Sequence, residues 1–213
     1  MHKTRIKICG ITQPDHGVEA VQLGADAIGL VFYPPSPRFV TIEQAKSIVA
    51  ALPPFVTIVG LFVNASKDEV NNVIDEVPLS LLQFHGDEDE SYCHSFGMRY
   101  IKAVSMKEGI DLHQICHQFS SAAGILVDSY HPGMPGGTGE KFDWERIPKV
   151  LPKPLILAGG LDETNVKISI LSVSPYAVDV SSGVEASKGI KDSVKMSQFI
   201  RGVTEADVQL SQH

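Results

Sequence analysis

What the sequence lacks argues against several classes of protein. Its longest apolar runs, such as AIGLVFY, have the length of a strand and are far too short to span a membrane. It has no run of lysines and arginines, and its formal net charge of -7 argues against nucleic acid or an anionic membrane as a partner. The N-terminus, MHKTRIKICG, lacks the apolar core of a signal peptide, so we expect a cytoplasmic protein.

Cysteine is also scarce. The three cysteines, Cys9, Cys93 and Cys116, are odd in number and form no C-x-x-C pair, so neither a disulfide framework nor a zinc knuckle is expected. Cys93 and Cys116 fall in helical segments and are interpreted as packing residues. Taken alone, Cys9 is interpreted in the same way, as a small buried apolar side chain.

Eight apolar runs of strand length follow one another along the chain. Several are continuously apolar, which is typical of parallel strands buried on both faces. Each is separated from the next by enough residues for one crossover helix. The runs are residues 5–9, 27–32, 57–63, 79–84, 99–104, 123–128, 154–158 and 176–180.

Helix signals separate these runs. Thr41 with Gln44, and Ser66 with Glu69, fit capping boxes, and apolar residues follow each box at helical spacing. TQPDHGVEAVQLG adds a proline near a helix start and Gly24 past its end. Weaker helical segments are expected at 89–96, 109–119, 142–148, 163–172 and 189–201.

The alternation of strands and helices predicts the fold class. Eight βα units within residues 1–203 match a single-domain α/β protein, a compact (β/α)8 or TIM barrel, and no linker divides the chain. An open doubly wound sheet is the alternative, and the count of eight favours the barrel. Residues 204–213 are interpreted as a polar C-terminal tail.

The loops after strands 7 and 8 carry the clearest chemical signal. They contain Gly159-Gly160 and Ser181-Ser182-Gly183. In a barrel, such small-residue loops bring backbone N–H groups together on a phosphate. Two ordinary tight turns would give the same residues, but their pairing on consecutive strands favours a phosphate site.

Other strand ends carry residues with two interpretations each. Asp128 ends an apolar strand, where partial burial favours the protonated form that a general acid needs, although it could simply cap the next loop. Arg38 follows the rigid PPSP and is either a fork for a carboxylate or a solvated loop charge, with the fork slightly favoured. His85 is a ligand or a loop histidine, and the residues alone favour the loop histidine.

Six motifs in order, between residues 7 and 185, resemble the phosphoribosylanthranilate isomerase family, the barrel enzymes of tryptophan synthesis. They are KICGIT, GLVFYPPSPRFV, QFHGDE, VDS with GGTGEKFDW, LAGGL and DVSSGVE. Phe84 and Val127 stand where leucine is usual or common in the family, and both are apolar exchanges. The resemblance therefore covers nearly the whole chain.

The resemblance implies a role for each strand end. Cys9 would be the general base, which replaces its interpretation as a packing residue, and Asp128 would be the general acid. Arg38 would grip the anthranilate carboxylate, and the two small-residue loops would bind the phosphate. His85 and Asp179 stand within the motifs QFHGDE and DVSSGVE, and we count them as further candidate substrate-binding residues.

The implied reaction is the Amadori rearrangement of N-(5-phosphoribosyl)anthranilate to 1-(2-carboxyphenylamino)-1-deoxyribulose 5-phosphate. It needs no metal and no redox cofactor, the partner is a small phosphosugar, and a monomer or homodimer is expected. A related histidine-pathway isomerase would use paired aspartates, against which Cys9 speaks. A ribulose-phosphate epimerase would need several metal-binding histidines at strand ends, where only His85 stands. The presence of both Cys9 and Asp128 disfavours a non-catalytic phosphate-binding regulatory barrel.

Overall fold

Eight parallel strands form a closed barrel in the computed structural model of the protein, which describes residues 3–129 and 144–212. Each strand pairs in parallel with the next, and β1 pairs with β8 to close the ring. The predicted (β/α)8 barrel is therefore confirmed. The strands are β1 Arg5–Cys9, β2 Ala27–Val31, β3 Thr57–Phe62, β4 Leu81–Phe84, β5 Tyr100–Ser105, β6 Gly124–Asp128, β7 Leu155–Leu157 and β8 Ala177–Val180.

Seven helices pack around this barrel in the described residues. Both predicted capping boxes form: Thr41 and Gln44 exchange hydrogen bonds at the start of α2, and Ser66 and Glu69 do so at the start of α3. Gly24 ends α1 in the left-handed conformation. The helices are α1 Pro14–Leu23, α2 Ile42–Ala51, α3 Lys67–Glu76, α4 Glu90–His94, α5 Leu112–Gln118, α6 Val166–Val173 and α7 Ser193–Leu210. None of these helices is long and apolar enough to cross a membrane.

The strands bury both faces, and the two faces differ in chemistry. Outward residues such as Ile8, Ile28 and Val178 pack against the helices in the main core. Inward residues form a smaller apolar cluster that includes Leu126 and Ile156. Polar inward residues lie above this cluster, towards the carboxyl ends of the strands. The barrel interior therefore supports a layer of functional side chains on an apolar base.

Two predicted helices differ from the structure. Residues 189–201 do not form one helix, because Ile190–Lys191 is a short strand, β10, that pairs antiparallel with β9, Glu185–Ser187. The helix α7 begins only after Asp192, whose side chain accepts a hydrogen bond from the Lys195 N–H. In place of the helix at 142–148, the described residues have a single 3-10 turn, Trp144–Arg146. The motif GGTGEKFDW lies outside the described residues except for its last residue.

The interpretation of residues 204–213 as a polar tail is wrong for most of that segment. Helix α7 continues to Leu210, and Ala206 is fully buried. Asp207 accepts hydrogen bonds from both the N–H and the hydroxyl of Thr4, at 2.9 and 2.7 Å. The helix therefore ties the C-terminal end of the chain to the start of β1. Its polar residues misled the prediction because only one face of the helix is buried.

We predict that Asp207→Ala destabilises the fold. The change removes the acceptor of two hydrogen bonds from Thr4, which is 1% exposed. Buried donors without an acceptor cost about 1–3 kcal/mol, and urea unfolding measures this loss. Gln209→Ala, at an exposed position of the same helix, is the control and should change the free energy of unfolding by less than about 0.5 kcal/mol. Equal effects of the two changes would contradict a structural role for this segment.

Candidate active site

A cavity of about 370 Å³ opens at the carboxyl ends of the strands. Its lining residues come from the ends of β1 to β4 and β6 to β8, and from the loops that follow some of them. All predicted site residues except Gly183 line it: Cys9, Arg38, His85, Asp128, Gly159, Gly160, Asp179, Ser181 and Ser182. The structure therefore brings these side chains and loops together, as expected for a barrel.

Cys9 ends β1 on the inward face and is 5% exposed. A glycine on the neighbouring strand makes room for it, because a Cβ at Gly29 would lie 2.7 Å from the Cys9 Sγ. Burial raises the pKa of the Cys9 thiol above its usual value. Nearby Lys7 opposes this effect, Asp179 adds to it, and Lys191 opposes it more weakly. Burial therefore favours the protonated thiol.

Lys7 and Asp179 form a buried ion pair next to Cys9. They are register partners on β1 and β8, and the Lys7 Nζ donates to the Asp179 Oδ1 at 2.9 Å. Both side chains are more than nine-tenths buried. Burial acts to lower the pKa of Lys7, but the charges of Asp179 and Cys9 outweigh it and raise that pKa. Asp179, predicted only as a substrate contact, therefore also holds a lysine in the barrel interior.

The side chains of Asp128 and His85 lie next to each other in the wall of the cavity. The Asp128 Oδ1 accepts the N–H of Ser129 at 2.7 Å, and its Oδ2 lies 3.4 Å from the His85 Nε2. The Gln83 Nε2 lies 3.1 Å from the His85 Nδ1. The distance to Asp128 exceeds that of a well-formed hydrogen bond. The His85 Nε2 is therefore a buried nitrogen beside Asp128 with no hydrogen-bond partner among the described residues.

A second buried ion pair holds the turn that follows His85. The Lys102 Nζ donates to the carbonyl of Gly86 at 2.6 Å and to the Glu88 carboxylate at 2.9 Å. Glu88 also accepts the N–H groups of Gly86 and Asn64, both at 2.8 Å. The N–H and the carbonyl group of Gly86, in the turn after β4, are therefore both hydrogen-bonded to this ion pair.

Arg38 forms the bidentate fork predicted for it, but with a carboxylate of the protein. Its Nε and Nη2 donate to the two oxygens of Glu185 at 2.7 and 2.8 Å. Lys191 also donates to Glu185, at 3.0 Å. Burial acts to raise the pKa of Glu185, and the two cations lower it below its usual value. The guanidinium has five N–H groups, and three of them have no acceptor among the described residues and can bind another group at the cavity.

The loops after β7 and β8 have the backbone that a phosphate site needs. Gly159 and Gly160 both adopt left-handed conformations, with φ of +81° and +63°. Among the described residues, no backbone carbonyl accepts the N–H groups of Gly160 and Ser182. Asn165 holds the first loop by donating to the carbonyl of Gly160 at 2.8 Å. These N–H groups are therefore available to an anion at the cavity.

Gly183, predicted as a substrate-binding residue, is not among the residues that line the cavity. A Cβ at this position would lie 1.9 Å from the carbonyl oxygen of Leu161. The residue therefore serves the close packing of the β8 loop against the β7 loop and does not face the cavity. Only glycine fits there, because the clashing atom belongs to the backbone.

The sequence analysis missed several residues of the site. Lys7, Gln83, Glu185 and Lys191 were not singled out, although three of them stand in the quoted motifs. Lys7 carries a usable signal, because a lysine on the inward face of a buried strand requires a partner of opposite charge. Lys191 has no such signal, since its segment was assigned to a helix. No group of three potential metal ligands occurs within residues 3–129 and 144–212.

Known sequences are similar to this chain over nearly its whole length. The family model described as "N-(5'phosphoribosyl)anthranilate (PRA) isomerase" matches residues 6–202. The N-(5'-phosphoribosyl)anthranilate isomerase of Azotobacter vinelandii is 59% identical over 206 residues, which cover 97% of this chain and 100% of that protein.

Solved structures of the same kind of protein are also similar. One is a phosphoribosyl anthranilate isomerase in complex with reduced 1-(o-carboxyphenylamino)-1-deoxyribulose 5-phosphate, with a TM-score of 0.81 and 36% identity. Another represents monomers generated from the dimeric enzyme of Thermotoga maritima, with a TM-score of 0.80 and 34% identity. Each alignment covers 95% of this chain and 99% of the other.

We predict that Gly159→Ala destabilises the protein more than Gly109→Ala. The two glycines have nearly equal φ, +81° and +82°, so each substitution carries the same conformational cost of about 1–2 kcal/mol. A Cβ at Gly159 would lie 2.3 Å from the backbone nitrogen of Ser129, whereas one at Gly109 has no neighbour within 4 Å. Overpacking should therefore add about 1–3 kcal/mol at Gly159. Urea unfolding of both variants measures the difference, and equal losses would contradict the close approach.

Proposed function

The chain belongs to the N-(5'-phosphoribosyl)anthranilate isomerase family, and we propose that Cys9 and Asp128 are the base and the acid of its reaction. The enzyme rearranges N-(5-phosphoribosyl)anthranilate to 1-(2-carboxyphenylamino)-1-deoxyribulose 5-phosphate in tryptophan biosynthesis. One observation carries the proposed roles: Cys9 and Asp128 end strands that are not neighbours in the barrel, and both line the same cavity. An acid and a base can therefore reach different atoms of one substrate.

Asp128 begins the reaction by protonating the ring oxygen of the ribose. The C1–O bond then breaks, and the nitrogen lone pair forms the Schiff base. The Asp128 Oδ1 accepts the N–H of Ser129, so Oδ2 is the oxygen suited to carry the transferred proton. Asp128 is 5% exposed and lines the cavity, so this oxygen can meet a substrate bound there.

Cys9, as the thiolate, completes the reaction. It removes the proton from C2 of the sugar, and the electrons of that bond neutralise the Schiff base to give the enolamine. The enolamine then becomes the ketone of the product. Because burial raises the pKa of the thiol, this step requires a positive charge near the sulfur, and Lys7 supplies the strongest one.

The remaining site residues bind the ends of the substrate. The anthranilate carboxylate binds the N–H groups of Arg38 that Glu185 does not use. The phosphate binds the backbone N–H groups of the loops that contain Gly160 and Ser182. His85 and Asp179 contact the sugar between these two anchors, since both line the cavity.

Oligomeric state and location complete the proposal. The substrate is a small phosphosugar, and we expect a monomer or a homodimer; one similar enzyme, that of Thermotoga maritima, is dimeric. We also propose a cytoplasmic location, as expected for an enzyme of tryptophan biosynthesis.

We predict that Cys9→Ala keeps the fold and removes nearly all isomerase activity. Cys116→Ala, which changes a buried thiol in α5 that does not line the cavity, is the matched control and should keep kcat. Steady-state kinetics and circular dichroism on both variants measure the outcome. A Cys9→Ala enzyme with most of its activity would show that Cys9 is not the base.

The pH dependence of kcat provides a second measurement of the base. The thiol pKa is raised, so the thiolate fraction increases about tenfold per pH unit below that pKa. In the Asp128→Asn enzyme, where no titrating acid opposes this change, we therefore expect the residual kcat to increase with pH from 7 into the alkaline range. A kcat that does not change with pH there would contradict a base with a raised pKa.

We predict that Asp128→Asn lowers kcat by about 10²–10⁴. The amide keeps the size of the side chain but cannot protonate the ring oxygen with comparable ease. Asp75→Asn, at an exposed position of α3, is the control and should leave kcat unchanged. The thermal midpoint is measured on the same samples, because a lowered midpoint with normal kcat would identify Asp128 as a structural cap of the loop.

A further inference from the structure

We propose that Lys7 is a positioning residue for the isomerisation: held by Asp179 inside the barrel, its ammonium group is the positive charge against which the Cys9 thiolate forms. This inference rests on the proposed role of Cys9 as the base. It assigns a function to a side chain that lies beneath the cavity and does not line it.

The geometry places the ammonium group on the correct side of Cys9. Lys7 precedes Cys9 by two residues on β1, so both side chains point into the barrel. Both also lie against the same backbone atom, because a Cβ at Gly29 would lie 2.7 Å from the Cys9 Sγ and 3.2 Å from the Lys7 Cε. No side chain of β2 separates them there, since Gly29 has none.

The ion pair with Asp179 keeps the lysine charged in this position. A buried ammonium group without a partner would lose its proton or leave the interior. Asp179 accepts from it at 2.9 Å, and both side chains are less than 10% exposed. The pair does not improve packing as such, because apolar residues of similar size often stabilise an interior equally well or better. The ion pair therefore has a chemical use, because it keeps a positive charge next to the Cys9 sulfur, where the thiolate forms.

The other charged groups near Cys9 do not replace Lys7. Lys191 approaches from β10, but its ammonium group donates to Glu185 and to the carbonyl of Ser181, both at 3.0 Å. Burial lowers the pKa of Lys191, and its effect on the thiol is weaker than that of Lys7. Arg38 is engaged in its fork with Glu185. Asp179 is the carboxylate facing the thiol, and its charge disfavours the thiolate.

The charges therefore predict shifts of opposite sign for two substitutions. Lys7→Met removes the positive charge, so the thiolate should form at higher pH, by about one to three pH units. Asp179→Asn removes the negative charge but keeps an acceptor oxygen for the Lys7 ammonium group, and the thiolate becomes the charged partner of that group, so the thiolate should form at lower pH. A purely structural role of the pair would leave the pH of thiolate formation unchanged in both variants. Alternatively, a general loosening of the site would shift that pH in the same direction in both.

The test measures the alkylation of Cys9 by iodoacetamide as a function of pH in the full-length enzyme without substrate. Peptide mass spectrometry follows each cysteine separately, and the pH at half-maximal rate reports thiolate formation. Lys102→Met is the matched control, because Lys102 is equally buried and pairs with Glu88 at 2.9 Å, but on the outer face of the barrel. It should leave the midpoint of Cys9 unchanged.

Opposite shifts for Lys7→Met and Asp179→Asn support the proposal, and an unchanged midpoint in folded Lys7→Met overturns it. Rapid labelling of the buried Cys93 and Cys116 reveals a variant that does not fold. If Lys7→Met fails in this way, Asp179→Asn decides: a shift to lower pH supports the proposal, and no shift or a shift to higher pH overturns it.

Kinetics separate this proposal from the role of Cys9 itself. Folded Lys7→Met should lose at least about tenfold in kcat at pH 7, as a one-unit shift of the thiol requires. Its kcat relative to that of the unchanged enzyme should recover at high pH, while KM changes little. If Cys9→Ala remains active, the role of Cys9 as base fails, whereas the alkylation midpoints still show whether Lys7 controls the thiol.

Discussion

A charge can remain inside a protein only with a partner, and the ion pair between Lys7 and Asp179 satisfies this constraint at the point where the barrel closes. The two residues are register partners on β1 and β8, the first and last strands. The pairing of these two strands closes the barrel and is called the seam below. Cys9, Arg38 and Ser181 lie close to this seam, and the Ser181 hydroxyl donates to the carbonyl of Cys9 at 3.1 Å. The position of the thiol therefore depends on how the first and last strands meet.

The same end of the barrel combines burial with polarity. Below the cavity, apolar inward residues such as Leu126 and Ile156 fill the interior. Above them, charged side chains have defined partners: Lys7 has Asp179, and Arg38 has Glu185. These fixed partners hold the side chains in place before a substrate arrives, which is the preorganisation that electrostatic catalysis requires. Because these side chains are already fixed by their ion pairs, they need to move little when a substrate binds.

Much of the fold was predictable because local signals agreed with one another. Continuously apolar runs marked the strands, and capping boxes at Thr41 and Ser66 marked the starts of α2 and α3. Residues 190–191 were assigned to a helix because a two-residue strand is too short to show an alternation. The polar residues of 204–210 concealed a helix whose apolar face is narrow. In the site, the strand ends identified Cys9 and Asp128, but the pairing of Arg38 with Glu185 depends on a hairpin that no local pattern indicates.

The closing seam also has a consequence for synthesis of the chain. The hydrogen bonds from Lys7 to Asp179 and from Ser181 to Cys9 each join residues 172 positions apart. Those from Thr4 to Asp207 join residues 203 positions apart. A ribosome releases the N-terminal partners long before it makes the C-terminal ones, so the first strand waits with a charged inward side chain and an exposed edge. Such long-range pairing is slow to form and leaves the nascent chain open to wrong contacts. The seam that holds the thiol is thus the last part of the barrel that the growing chain can complete.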